Sequence, residues 1–324
     1  MARCLSPRPG LLRLVSDEIA VELLPEVGAK ITSLRNLATG REWLWHNPAK
    51  PIVAPPYGGL FRDYDISGYD DCFPGIGEGP YPAAPWLESV VPDHGEWWCL
   101  PWAVEAHDEG VTLSLHGVRF PYHADKRLWI EPGGIIRLAY RVENPTPFPF
   151  YCMWSAHPLF EASSATRVVL PTKGHVLVDF SLGDRLGAPL DSHNWPLTHD
   201  AHGRPVDLSR LTPGAGQADK LYATALEAGW CALHDEHTGD YVGFTFDLRE
   251  VPYVGIWLNQ DAWPSPDQPC FNVALEPCNG YPDRVDIAQR VGALEAIGPY
   301  STRSWQLAIH LGCARTLPSA VFGA

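Results

Sequence analysis

KRLWIEPGGIIRLAYRVEN, residues 126–144, sets two alternating runs on either side of Glu131-Pro132-Gly133-Gly134. A Pro-Gly-Gly turn between two runs of period two reads as a β-hairpin, because alternate residues of a strand face opposite sides. The same grammar recurs along the chain. LLRLV (11–15) and IAVELL (19–24) come first, then AKITSLRNL (29–37), a Thr39-Gly40 turn and REWLW (41–45). WCALHDE and YVGFTFDL flank Thr238-Gly239-Asp240, and YVGIWLN (253–259), FNVALEP (271–277) and SWQLAIHLG (304–312) follow. Helical periodicity is scarce; its best case is RVDIAQRVGALEAI (284–297), with Asp283 placed to cap the N-terminus. Two long stretches, 47–101 and 181–218, lack regular periodicity, and loops of that length in a compact fold are usually functional. The expected architecture is all-β, large antiparallel sheets with few short helices, in one domain over residues 1–324.

Composition narrows the function. A formal net charge of −14 argues against nucleic acid or an anionic membrane as partner, since polyanion binding needs a basic footprint. The apolar runs fall short of the roughly 20 residues that span a bilayer. Eight cysteines lie scattered without a CxxC, and MARCLSPRPGLL has neither the apolar run nor the cleavage site of a signal peptide. Reduced thiols and a cytoplasmic location are the expectation, with the chain a monomer or homodimer. Thirteen tryptophans supply flat apolar faces with an N–H donor, useful in cores and against sugar rings.

VPDHGEWWCLPW (91–102) crowds ionisable groups against three tryptophans. His94-Gly95-Glu96 matches the opening H-x-E of zinc deaminases, but Pro269-Cys270-Phe271-Asn272 and Pro277-Cys278-Asn279-Gly280 lack the second cysteine of P-C-x-x-C. DSHNWPLTHDAHG gathers His193, His199 and His202 with Asp191 and Asp200, yet the spacing fits no compact metal signature and polar loops collect such residues for turns. No nucleophile elbow, P-loop or dinucleotide fingerprint occurs, and Gly75-Ile76-Gly77-Glu78-Gly79 reads as a loop. Neither a metal nor a cofactor is expected. Two stretches carry more. NPTPFPFYCMWSAHPLF (144–160) ends an aromatic run at Ala156-His157-Pro158, and FNVALEPCNGYPD (271–283) leads an apolar strand into Glu276-Pro277. A glutamate in a buried-looking strand is costly unless paired, which marks it for function; the plain alternative is a strand-end group bonded to nearby backbone.

Four blocks, taken in order, resemble the aldose 1-epimerase (galactose mutarotase-like) superfamily. They are LLPEVGAKITSLRNLATGREWLW (23–45), GYDDCFPGIG with PDHGEWWCLPW (68–102), the His157 stretch (144–160), and ALEPCNGYPDRV with the C-terminal GPYSTRSWQLAIHLG. Residues 181–230 carry none of the likeness. The resemblance implies a β-supersandwich that holds a sugar in a concave face. It implies Glu276 as the base that takes the anomeric hydroxyl proton and His157 as the acid that protonates the ring oxygen. It also implies His94 as a sugar ligand near the reacting centre. Asp71, Glu96, Trp97 and Trp257 are substrate-binding candidates, because sugar sites use carboxylates for hydroxyls and rings for stacking; taken singly, each tryptophan reads as core. Alternation sends Trp97 and Trp98 opposite ways. The Gly-Arg-x-x-Asn-Arg motif of galactose mutarotases proper is absent, GYDDCFP resembling instead the divergent branches, and Arg62, the nearest upstream arginine, is a further substrate-binding candidate. The implied activity is anomer interconversion of a free, uncharged sugar without cofactor. The rivals are a carbohydrate-binding protein on the same fold and another sugar enzyme, a lyase or hydrolase.

Overall fold

In a computed structural model describing residues 3–8, 10–172 and 174–323, His123–Glu131 and Ile135–Glu143 form the expected antiparallel hairpin. The remaining residues, including the first two of MARCLSPRPGLL, lie outside the described ones. Register places Lys126 opposite Tyr140, Leu128 opposite Leu138 and Ile130 opposite Ile136, and all six face the core. Each buried aliphatic side chain there contributes roughly 1.5–3 kcal/mol relative to exposure. Lys126 is the exception to the apolar row, and it is 1% exposed.

That hairpin belongs to an eight-stranded sheet, in which Thr302–Cys313 lies between Ile135–Glu143 and Asp240–Phe246. Trp230–Asp235 pairs with Asp240–Phe246 across the Thr238-Gly239 turn, as the sequence implied. A second sheet has eleven strands. Its centre runs in the spatial order Lys30–Asn36, Tyr69–Cys72, Ser155–Glu161, Gln268–Cys278, Tyr253–Ser265, Gln217–Ala223, His175–Ser181. One apolar cluster joins the two sheets, with Ile31, Leu221, Ile256 and Leu275 from the larger and Leu113, Leu128, Leu138 and Leu307 from the smaller. The opposite face of the larger sheet is covered in part by the 47–101 segment. A smaller cluster of Phe61, Ile66, Trp98, Leu159 and Ala274 lies there.

Two expectations change. The helix predicted over 284–297 spans only Val285–Arg290; Gly292, at φ +73, ends it, and Ala296–Ile297 pairs as a strand with Phe150–Tyr151. Its N-cap residue is Arg284 and makes no side-chain cap bond. Asp283 does not cap the helix, because its carboxylate is taken by the Tyr222 hydroxyl. All eight cysteines are free thiols, six of them buried, so no disulfide staples the sandwich.

Candidate active site

The site follows from strand alternation across the larger sheet. His157 lies directly opposite Asp70 in the neighbouring strand. On its other side the register sets Ser155 against Cys278 and Leu159 against Ala274, which brings Glu276 level with His157. Gly255 lies opposite Glu276 in the next strand, and Lys220 lies opposite Trp257 one strand further. Neighbours level with one another in a sheet point to the same face. Asp70, His157 and Glu276 therefore line up on the face away from the sandwich core.

Gly255 makes room for the next contact. Lys220 Nζ donates to Glu276 Oε2 and sits 3.7 Å from Asp283 Oδ1. A Cβ at position 255 would lie 3.2 Å from both Glu276 Cβ and Oε2 and 3.4 Å from Lys220 Cε. Gly255→Ala is expected to displace this ion pair and to cost about 1–3 kcal/mol, the range for overpacking. Urea unfolding checks it, and a midpoint equal to wild type would contradict the assigned crowding.

His94 arrives from the loop. His94 and Gly95 both have positive φ, +58 and +71, and a Cβ on Gly95 would lie 2.1 Å from Phe73 O, so only glycine fits where this turn docks. The turn is pinned by Asp93, whose Oδ2 accepts the Phe61 N–H at 2.7 Å while Oδ1 lies 2.9 Å from His94 Nδ1. A carboxylate only accepts, so Nδ1 of His94 donates in this contact and Nε2 is the ring nitrogen left for another partner. Phe61 stacks on the His94 ring at 4.1 Å, and the His94 and His157 rings meet edge to face at 4.8 Å.

Phe61, His94, His157, Lys220, Glu276 and Asp283 line a cleft of about 190 Å³ with Trp257, Trp263 and Phe180 as its aromatic wall. That is below the roughly 300–1,000 Å³ of sites for drug-sized ligands, so the cleft suits one small ring rather than a chain. His157 Nε2 lies 3.9 Å from Glu276 Oε1. Glu276 Oε1 and His157 Nδ1 are both buried without a hydrogen-bond partner among the described residues, which is rare for native polar atoms.

Burial sets the protonation pattern. It holds the His157 imidazole well below its ordinary value, reinforced by His94, Lys220 and Lys30. Burial pushes the Glu276 carboxyl up against the opposing pull of Lys220. Asp70 is pushed up to about 6 by burial although Lys30 Nζ stands 3.1 Å away. Half-buried Asp179, which accepts the Asp283 N–H at 3.3 Å, is pushed up to about 8 by burial and then by the Asp283 charge. An acid raised on folding favours the protonated chain, so its contribution is complete below the unfolded value near pH 4 and is lost as pH rises towards about 8. Asp179→Asn is expected to flatten that decline in unfolding free energy across this window. An unchanged pH dependence in the variant would count against the assignment.

The structure brings His157, Glu276, His94 and Trp257 together in the cleft. It places four other candidates elsewhere. Asp71 follows Asp70 in the strand and so faces the core, where it accepts from Lys126 at 2.6 Å, Tyr140 at 2.9 Å and Trp154 at 3.0 Å. Glu96 is fully buried behind the turn, accepting from Tyr57, Tyr122 and the backbone N–H groups of Val118 and Arg119. Trp97 is fully buried and stacks on Phe73 at 4.6 Å, while Trp98 goes the opposite way, into the cluster beside the cleft. Arg62 is exposed and does not line the cleft. In the His/Asp-rich loop, both ring nitrogens of His193 are engaged, by Thr198 and Leu186, and Asp200 accepts the N–H groups of His202 and Arg204. That is turn chemistry. Lys220, Asp70, Asp179 and Asp283 were not read from sequence as site residues. The signal for Lys220 was a lysine inside QADKLYA (217–223), on the opposite parity from Asp219 and Leu221.

No protein-family model matches the chain. Solved structures do. Slr1438 protein from Synechocystis sp. PCC 6803 superposes with a TM-score of 0.70 at 18% identity, over 95% of this chain and 97% of that one. A galactose mutarotase-like protein from Lactobacillus casei gives 0.69 at 17% identity, over 94% and 100%. The chain has the galactose mutarotase-like fold. A galactose mutarotase related enzyme from Lactobacillus acidophilus gives 0.66 at 14% identity, over 98% of this chain and 99% of that one. At such identities the galactose mutarotase-like fold is what is shared, and the chemistry must be argued from the side chains in this cleft.

Proposed function

We propose that the protein interconverts the anomers of a free, uncharged aldose by general acid–base ring opening and closure. One observation carries the reading: adjacent strands in register hold His157 Nε2 and Glu276 Oε1 3.9 Å apart at the floor of a cleft sized for one ring. The two atoms that exchange protons in mutarotation, the anomeric oxygen O1 and the ring oxygen O5, are both bonded to C1. A base and an acid a few ångströms apart can serve them together.

In the proposed cycle Glu276 Oε1 takes the O1 proton while His157 gives a proton to O5. The C1–O5 bond breaks as C1=O1 forms. Rotation about C1–C2 presents the other carbonyl face, and closure reverses both transfers. Opening starts from ionised Glu276 with protonated His157, and closure starts from the opposite arrangement. Burial shifts the pair towards the second arrangement, and one proton exchanged between the two serves both directions. His94 Nε2 faces the same space as a hydrogen-bond partner for a hydroxyl, and Trp257 offers a ring for stacking. An uncharged substrate is preferred because Lys30 is already paired with Asp65 and Asp70, and Lys220 with Glu276 and Asp283.

A binding-only protein is the second reading, favoured by the ion pair that engages Glu276 Oε2 and weakens the carboxylate as a base. Exchange NMR separates the two readings: saturating one anomer of an equilibrated aldose transfers to the other only if the protein turns it over.

A further inference from the structure

Two histidines that line the cleft and a fully buried cysteine behind them form a donor set that proton transfer uses only in part. Cys72 Sγ and one ring nitrogen each of His94 and His157 lie within 4.8 Å of one another. We propose that Cys72, His94 and His157 form a site for one divalent transition-metal ion of the zinc class, with a fourth position open to the cleft. This rests on the donor geometry and not on the epimerase reading.

The donors fit that class. One thiolate and two imidazoles form a borderline-soft set that selects zinc or cobalt over magnesium or calcium, and three protein ligands with one open position is the arrangement of catalytic zinc sites. Zinc bond lengths place sulfur and nitrogen donors roughly 3.5 Å apart in a tetrahedral site, so the trio has to close by about 1 Å. That is the scale of a small torsion at a cysteine χ1 or a histidine χ2.

Three further observations point the same way. The Asp93 carboxylate holds His94 Nδ1 at 2.9 Å and is itself fixed by the Phe61 N–H, which is the carboxylate–histidine support that orients imidazole ligands in metal sites. It leaves His94 Nε2 as the ligand atom. His157, 7% exposed, has Nδ1 without a hydrogen-bond partner among the described residues, a buried nitrogen whose lone pair coordination would engage. The surrounding charge also favours a cation, since Asp65, Asp70, Asp93 and Asp283 outnumber Lys30 and Lys220 even without Glu276. Coordination forms an S–metal bond, breaks the Cys72 S–H bond and releases that proton to solvent, with no change of oxidation state. Glu276 Oε1 would stand near the fourth ligand. An ion so placed withdraws His157 from proton transfer, and metal and sugar turnover then compete.

The test is titration of chelator-treated protein with Co²⁺ and with Zn²⁺. We expect one equivalent of Co²⁺ to bring visible ligand-field bands and a near-ultraviolet thiolate-to-cobalt band, displaced by Zn²⁺. Cys72→Ser should abolish the thiolate band, and Asp93→Asn should weaken binding about 10–100-fold, the range for losing such support. His94→Asn, a residue that tolerates positive φ, gives a second ligand variant if Cys72→Ser fails to fold. No stoichiometric uptake, or uptake unchanged in Cys72→Ser or His94→Asn, overturns the proposal. The spectroscopic readout is independent of sugar turnover, so failure here leaves the epimerase reading to its own test.

Discussion

Glu276→Gln is expected to slow anomer exchange roughly 10²–10⁴-fold, the contribution typical of a positioned general acid or base. Glutamine keeps the shape of the side chain and can still accept a hydrogen bond from Lys220, so the cleft and its affinity for the sugar should survive. What it loses is the ability to take the O1 proton. The substitution also removes half of a buried ion pair, and stranding such a charge costs about 3–5 kcal/mol when nothing replaces it. Here Asp283 stays 3.7 Å from the Lys220 ammonium, so the stability loss should fall below that range. Parallel exchange NMR and urea unfolding separate the effects. A folded variant that exchanges anomers as fast as wild type would remove Glu276 from the mechanism.

Lys126→Met should do the reverse, damaging stability while sparing the cleft. Lys126 stands in the core-facing row of the hairpin and is hydrogen-bonded to Asp71 at 2.6 Å, with both side chains 1% exposed. Methionine fills much of the same volume but leaves the Asp71 carboxylate between the sheets with only the Tyr140 and Trp154 donors. The expected cost is about 3–5 kcal/mol in urea unfolding. Exchange by the folded fraction should stay at the wild-type rate, because Asp71 lies on the face opposite His157. A stability loss under about 1 kcal/mol would show the pair to be dispensable, and a selective loss of exchange would restore Asp71 to the site.

Asp71 also shows where sequence reasoning stops. GYDDCFP offers two adjacent aspartates, and period-two alternation guarantees that they face opposite ways. Nothing local says which parity is core. The partner that decides it is Lys126, 55 positions away, whose place in the alternation was readable but whose neighbour across the sandwich was not. The hairpins were legible because turn and alternation are local signals. That His157 and Glu276 meet in one cleft was legible because strand patterning and the four-block resemblance both reached them. Lys220 was not, since it belongs to the stretch without that resemblance, and only strand order brings it to Glu276, 56 positions on. The helix over 284–297 was overestimated because its apolar spacing continues past Gly292, where the backbone turns left-handed. Trp97 and Glu96 were misplaced for a common reason: a crowded loop motif does not reveal which side chains turn inward.

The most direct test of the central claim is saturation-transfer NMR of anomer exchange by the wild-type protein across neutral, phosphorylated and acidic aldoses. Accelerated exchange is expected for at least one neutral aldose, with phosphorylated and acidic sugars disfavoured by the carboxylates around the cleft. Binding without accelerated exchange for every sugar in the panel would contradict it and leave the cleft a sugar-binding site alone.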